Sequence, residues 1–104
     1  MNDVKRLLDV AQEKGALKFG EFQLSAGGTS TYYFDGRILT LDPEGAFLVA
    51  KCLLPILISN EIDAIAGPTL GADPIVSSLS LYSHIQNNPI TGLIVRKEAK
   101  AYGG

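Results

Sequence analysis

Residues 62–95 narrow the possible folds of this chain more than any other segment. An apolar run from Ile62 to Ala66 is followed by a glycine-containing loop, by a helix that is expected to reach about Gln86, and by a second apolar run from Thr91 to Val95. Two strands joined by a helix within about 35 residues form a βαβ unit, in which the strands are parallel and the crossover is right-handed. The pattern therefore predicts an α/β fold built on a parallel sheet.

Two aspartates, each followed by proline, mark expected helix starts. Asp42 and Asp73 are expected to cap the free N–H groups of their helices, and proline suits the first helical position. In the helix that starts after Asp42, Pro55 should introduce a kink or end the regular part, because it removes a backbone donor. Asn60 is expected to stop this helix.

The N-terminal part of the chain predicts one more helix and a hairpin. Apolar residues recur at helical spacing from Val4 to Lys14, with Asp3 as the expected N-cap and Gly15 following the helix. Between Phe19 and Thr40, aromatic and β-branched residues lie on both sides of Gly27 and Gly28. This pattern is typical of a β-hairpin around a glycine turn.

Composition and charge exclude several classes of protein. The chain has 104 residues, 46% of them hydrophobic and 19% charged, so it is neither a disordered tail nor a collagen-like repeat. Nine Lys and Arg residues against eleven Asp and Glu give a formal net charge of -2, which provides no bulk positive field for nucleic acid or anionic lipid. The longest apolar run, Cys52 to Ile58, is far shorter than the roughly 20 residues that cross a bilayer. We therefore expect a cytoplasmic protein with no nucleic-acid or membrane partner, in which Cys52 is a buried packing residue.

An anion site in this chain would have to be formed by a few neighbouring residues, and two loops indicate where it would lie. Gly67 and Gly71 lie between the first strand and its helix, where glycine lets the backbone approach a ligand closely. The second strand is followed by Arg96, Lys97 and Lys100, which are three of the nine positive residues. Each loop by itself is also explained without a ligand, the first as a tight turn and the second as a solvated surface. Because both follow the carboxyl ends of parallel strands, together they predict a site for phosphate or pyrophosphate.

Other candidate residues carry weaker signals. Of Tyr32, Tyr33 and Phe34, at least one is expected to pack in the core, while another could stack on a planar ring at the site. His84 is expected on the surface or half-buried within its helix. No Ser-His-Asp or Cys-His arrangement and no metal-ligand spacing is recognisable.

Five motifs, in order along the chain, resemble those of orotate phosphoribosyltransferases, which are type I phosphoribosyltransferases. They are Leu17–Phe22, Tyr32–Arg37, Leu41–Gly45, Ala66–Pro74 and Val95–Lys100. The resemblance implies that residues 1–41 form a hood region of helix and hairpin, and that residues 42–104 begin the α/β core. It also implies an incomplete domain, because nothing in the chain matches the acidic strand end and the Thr/Gly-rich loop of the family's second half.

The resemblance further implies an activity and a site. Family members transfer ribose 5-phosphate from phosphoribosyl diphosphate to N1 of orotate, giving orotidine 5′-phosphate and pyrophosphate in the synthesis of UMP. They are homodimers, and Mg²⁺ is bound with the phosphoribosyl diphosphate. By the family's pattern Arg96 and Lys100 are catalytic, and Tyr33 and Phe34 bound the orotate pocket. The residues implied to contact phosphoribosyl diphosphate are Arg96, Lys97, Lys100, Tyr102, Gly67, Thr69 and Gly71. No residue of the chain is expected to be a metal ligand.

The chain departs from the family's pattern in its substrate contacts. Tyr102 stands where the family commonly has a histidine, and a phenol is neutral at pH 7. Residues 24–29, at the hairpin turn, lack the basic residue that many relatives carry. With the second half unmatched, we expect the chain alone to be inactive. Two alternatives are a non-catalytic module that binds phosphate or phosphoribosyl diphosphate, and a fragment that self-associates through an unpaired sheet edge.

Overall fold

The fold is α/β, as predicted, in a computed structural model that describes residues 2–99. Its helices are α1 (Asp3–Glu13), α2 (Gly36–Thr40), α3 (Pro43–Ser59) and α4 (Asp73–Ile85), and its strands are β1 (Leu17–Gln23), β2 (Thr29–Phe34), β3 (Ala64–Pro68) and β4 (Thr91–Val95). Strands β1 and β2 form an antiparallel hairpin, whereas β3 and β4 form a parallel pair. The predicted hairpin and the predicted βαβ order are both present.

Helix α1 starts one residue earlier than the sequence predicts. Asn2 has extended backbone angles and its side chain accepts a hydrogen bond from the N–H of Val4 at 2.9 Å, so Asn2 is the N-cap. The prediction of Asp3 as the cap was wrong, because Asp3 already has helical geometry and places its charge at the positive end of the helix dipole. Gly15 follows the helix with φ +81°, as expected for a residue in the left-handed region.

The hairpin turns at the predicted glycine pair. Gly27 and Gly28 have φ angles of +99° and +83°, which L side chains rarely adopt. The N–H of Leu24 donates to the carbonyl of Gly28 at 3.0 Å and closes the turn. The pairing places Phe19 opposite Tyr32, and an irregularity follows Phe19 in β1.

Helix α3 runs through its internal proline. Asp42 caps it as predicted, since the Asp42 carboxylate accepts a hydrogen bond from the Gly45 N–H at 2.9 Å. Pro55 does not end the helix, which continues to Ser59 and stops at Asn60 as predicted. Pro55 is exposed, so the backbone carbonyl that loses its partner in the preceding turn can bind water.

The βαβ unit differs from the prediction at both ends of its first loop. Strand β3 starts at Ala64 and ends at Pro68, two residues later than expected at each end. Asp73 is not the cap of α4, because Ala72 holds the N-cap position and no side chain among the described residues caps the helix. The register from Ala64 opposite Thr91 to Pro68 opposite Val95 brings the two carboxyl ends together.

Helix α3 connects two groups of buried residues. One group lies between α3 and the N-terminal elements, and the other lies between α3, α4 and the parallel strands. The first contains Val10, Ala11, Ala16, Leu39 and Leu48, and the second contains Ala50, Leu54, Leu79 and Ile90. Cys52 is half-buried rather than buried, and His84 is exposed, in agreement with its predicted place at the surface. Within residues 2–99, no helix has the length and apolar content to cross a membrane.

An ion-pair cluster joins α1 to the start of α3. The guanidinium of Arg6 donates to both carboxylate oxygens of Glu44, at 2.8 and 2.9 Å, and to Glu13 at 3.1 Å. The hydrogen bonds from Arg6 lower the pKa of Glu44, and the Gly45 N–H is the main cause of a lowered pKa at Asp42. The cluster therefore holds the N-terminal helix against the α/β unit through charged contacts.

Candidate anion site at the ends of β3 and β4

The carboxyl ends of β3 and β4 meet at a surface cleft. The N–H of Thr69, just after β3, donates to the carbonyl of Val95 at 3.2 Å and ties the two strand ends together. The cleft is lined by Thr69, Ile94, Arg96, Lys97 and Glu98. Of the features predicted to share one sheet edge, the loop after β3 lies at this edge with Arg96 and Lys97, while Lys100 lies outside the described residues.

The loop after β3 depends on a glycine at its base. A Cβ on Gly67 would lie 2.5 Å from the Cβ of Ala72, so the chain can fold back on itself only because this side chain is absent. A Cβ on Gly71 would meet no atom of the described residues within 4 Å, because Gly71 faces open space. The glycine at the base thus shapes the loop, and the glycine at its tip leaves room for a ligand.

Two backbone donors of the loop have no acceptor within residues 2–99. The N–H groups of Ala72 and Asp73 donate to the carbonyls of Pro68 and Leu70, at 3.1 and 3.2 Å. Within residues 2–99, the N–H groups of Leu70 and Gly71 donate no hydrogen bond. Both residues are exposed, and unpaired amides beside a helix N-terminus are donors suited to an anion.

Asp73 is bonded to the loop rather than to the helix it begins. Its Oδ2 accepts a hydrogen bond from the Thr69 hydroxyl at 2.8 Å. Its Oδ1 is buried and has no hydrogen-bond partner among the described residues. This contact was not predicted from the sequence, although the spacing of four residues between a threonine and an aspartate across a helix start is a signal that could have indicated it.

Four of the described cations lie in ion pairs, whereas Arg96 and Lys97 at the cleft, like Lys5 and Lys18 elsewhere, do not. Arg6, Lys14, Arg37 and Lys51 all lie within ion-pair distance of a carboxylate. Neither Arg96 nor Lys97 forms an ion pair with any residue in the range 2–99, and both are exposed. The Arg96 Nε donates to the backbone carbonyl of Glu98, at 3.3 Å. Most of the hydrogen-bonding capacity of Arg96 and all the charge of Lys97 are therefore available to a ligand.

Tyr33 and Phe34, which were predicted to bound an orotate pocket, are not among the residues that line the cleft. Tyr33 and Phe34 lie at the end of β2 and are 45% and 54% exposed, and the Tyr33 ring lies 5.8 Å from that of Phe22. In the described part of the chain, strand β2 makes no contact with β3 or β4. Lys100 and Tyr102 lie outside the described residues. The role of the hairpin aromatics at an orotate pocket therefore stays a prediction.

The described residues do not provide a magnesium cage. No group of three or more His, Cys, Asp or Glu side chains that could hold a metal ion exists within residues 2–99. The carboxylates near the cleft are those of Asp73 and Glu98. They share no hydrogen-bond partner within residues 2–99, and one oxygen of Asp73 accepts a hydrogen bond from Thr69. A divalent ion would need most of its ligands from a bound diphosphate and water.

Comparison with known proteins connects this chain to one group of enzymes. No family model matches the chain. The orotate phosphoribosyltransferase of Nostoc sp. is 48% identical over 99 residues, which cover 95% of this chain and 47% of the relative. That of Synechocystis sp. is 49% identical over 88 residues, which cover 85% and 44%. The crystal structure of Mycobacterium tuberculosis orotate phosphoribosyltransferase has a TM-score of 0.80 at 29% identity, over 98% of this chain and 56% of that one. The chain thus spans about half the length of the relatives it matches.

Proposed function

The chain is homologous to the N-terminal part of orotate phosphoribosyltransferases, and from this we propose that it supplies the diphosphate-binding edge of such an enzyme. The reaction transfers ribose 5-phosphate from phosphoribosyl diphosphate to N1 of orotate and releases pyrophosphate, a step in the synthesis of UMP. The chain alone is inactive in this proposal. The observation that carries it is the shared sheet edge, where Thr69, Arg96 and Lys97 line the cleft and the exposed amides of Leu70 and Gly71 follow Thr69 in the loop.

The geometry of the cleft suits a departing diphosphate. Negative charge develops on the leaving group as its bond to the ribose breaks, so donors that are already in place lower the barrier. Arg96 and Lys97 supply positive charge, and the N–H groups of Leu70 and Gly71 supply oriented dipoles. Because none of these donors has to break an ion pair within residues 2–99 first, they are ready to bind the anion.

The individual roles belong to the same proposal. Arg96 and Lys100 act in catalysis by neutralising the leaving group, and Tyr33 and Phe34 bound the orotate ring. The residues assigned to phosphoribosyl diphosphate are Arg96, Lys97, Lys100, Tyr102, Gly67, Thr69 and Gly71. Mg²⁺ bound with phosphoribosyl diphosphate would neutralise part of its charge. Residues 1–41 form the hood region and residues 42–104 the start of the α/β core of a cytoplasmic homodimer.

Calorimetry with inorganic diphosphate tests the site. Replacing Arg96 and Lys97 together by alanine should weaken diphosphate binding by at least about tenfold, since two charge-assisted contacts are lost. The matched control replaces Lys5 and Lys18, two lysines outside the cleft, and changes the net charge by the same amount. Equal loss in both double variants would mean that only net charge matters, and the cleft would then not be the site.

A turnover assay tests the activity separately. The purified chain is mixed with orotate, phosphoribosyl diphosphate and Mg²⁺, and the orotate absorbance is followed. We expect diphosphate binding without turnover. Turnover at the rates of complete enzymes would contradict the proposed inactivity, whereas the absence of diphosphate binding would contradict the proposed site.

A further inference from the structure

Asp73 lies beside the candidate anion site, in the first turn of α4, where its charge is favourable to the helix dipole. A carboxylate repels a diphosphate, and this one does not cap the helix that follows it. Its hydrogen bond to Thr69 spans the loop from the end of β3 to the start of α4. The bond therefore connects the two ends of the segment that carries the unpaired amides.

The direction of this hydrogen bond limits what Thr69 can do. The Thr69 hydroxyl has one proton, and that proton is donated to Asp73 Oδ2 at 2.8 Å. While the bond is intact, the hydroxyl has no proton left to donate to a phosphate oxygen. Thr69 can then serve the anion site only through its position in the loop.

We propose that Asp73 and Thr69 form a positioning pair that holds the loop open for diphosphate, and that the charge of Asp73 opposes the anion the loop receives. This inference rests on the proposed diphosphate site. The hydrogen bond is the favourable contribution, because it orders Leu70 and Gly71 between two anchored residues. The carboxylate charge is the unfavourable contribution, because the loop amides and the cleft cations lie at the same edge of the sheet.

The two contributions can be separated by substitution. Thr69→Val keeps the shape of the side chain and removes the hydrogen bond, so diphosphate affinity should fall about three- to tenfold. Thr69→Ser keeps the hydroxyl and should stay within about twofold of the unchanged chain. Asp73→Asn keeps an acceptor for Thr69 and removes the charge, so diphosphate should bind about three- to tenfold more tightly. A purely structural role for the pair would instead weaken binding in Thr69→Val and leave it unchanged in Asp73→Asn, which keeps the acceptor.

The experiment measures all four proteins in two ways. Calorimetry with inorganic diphosphate gives the affinities, and hydrogen exchange by NMR follows the N–H groups of Ala72 and Asp73, which are bonded within the loop. Exchange at these amides should accelerate in Thr69→Val and remain slow in Thr69→Ser and Asp73→Asn. Circular dichroism confirms that each variant retains its helices.

The affinities test the opposing charge of Asp73, and the exchange rates test the positioning role of the pair. Tighter binding by Asp73→Asn together with weaker binding by Thr69→Val supports the pair as described. Weaker binding by Asp73→Asn overturns the opposing charge, and unchanged exchange in Thr69→Val overturns the positioning role. If the unchanged chain binds no diphosphate, the proposed function fails, and the exchange measurement still decides whether the pair orders the loop.

Discussion

Replacing Ser83 by alanine should destabilise the turn that leads from α4 into β4. Ser83 is fully buried, and its hydroxyl accepts a hydrogen bond from the N–H of Ile90 at 2.9 Å while donating to the carbonyl of Ser80 at 2.7 Å. Alanine removes the acceptor and leaves the Ile90 N–H buried without a partner. A buried donor without a partner costs about 1–3 kcal/mol of the free energy of unfolding.

The size of the effect can be measured by thermal unfolding. A loss of about 2 kcal/mol in a domain of this size lowers Tm by about 8–16 °C. Far-UV circular dichroism gives Tm, and hydrogen exchange at Ile90 reports the broken bond directly. Exchange at this amide should be slow in the unchanged chain and fast in Ser83→Ala.

Ser77→Ala is the matched control on the same helix. Ser77 is exposed, and its side chain forms no hydrogen bond within residues 2–99, so the free energy of unfolding should change by less than about 0.5 kcal/mol. If Ser83→Ala were as stable as Ser77→Ala and Ile90 kept its protection, the bond would contribute nothing. The reasoning that the buried serine fixes the start of β4 would then be refuted.

Two further changes test the packing around α3. A Cβ on Gly45 would overlap the backbone carbonyl of Leu39, which cannot move as a side chain can, so Gly45→Ala should lower the free energy of unfolding by about 1–3 kcal/mol in a urea titration. Lowering the pH should also destabilise the chain, because folding lowers the pKa values of Asp42 and Glu44 from 3.8 and 4.5. The two ionised carboxylates contribute stability above these unfolded-state pKa values. This contribution is lost as the pH falls through the lower pKa values of the folded state. Arg6→Met should flatten this pH dependence by removing the partner of Glu44; an acid titration curve that superposes on that of the unchanged chain would contradict the assignment.

The placement of the Gly67–Gly71 loop and of Arg96 and Lys97 at one sheet edge could be predicted from sequence, because local patterns are joined by one rule. Glycines after one strand and cations after the next are visible in the sequence, and parallel strands place their carboxyl ends together. The bond between Thr69 and Asp73 was not predicted, because Asp followed by Pro fits a helix cap equally well. Which donor the Asp73 carboxylate meets depends on how the loop folds back over Gly67.

The relation between the hairpin and the sheet also depends on tertiary structure. The aromatic residues of β2 were expected near the site, yet β2 does not contact β3 or β4 within residues 2–99. Sequence periodicity gives the face of a strand on which a residue lies, but it does not give the distance between two separate sheets. The assignment of Tyr33 and Phe34 to an orotate pocket therefore stays a prediction.

The sequence by itself determined the order of α1, the hairpin, α3 and the βαβ unit, but it did not predict the short helix α2. Helix periodicity, the cap at Asp42 and the glycine turn at residues 27 and 28 act over a few residues, so their effects can be read without knowing the rest of the fold. Tertiary structure decided the continuation of α3 through Pro55 and the partner of Asp73. Those outcomes depend on solvent access and on groups brought close by folding, which no local pattern specifies.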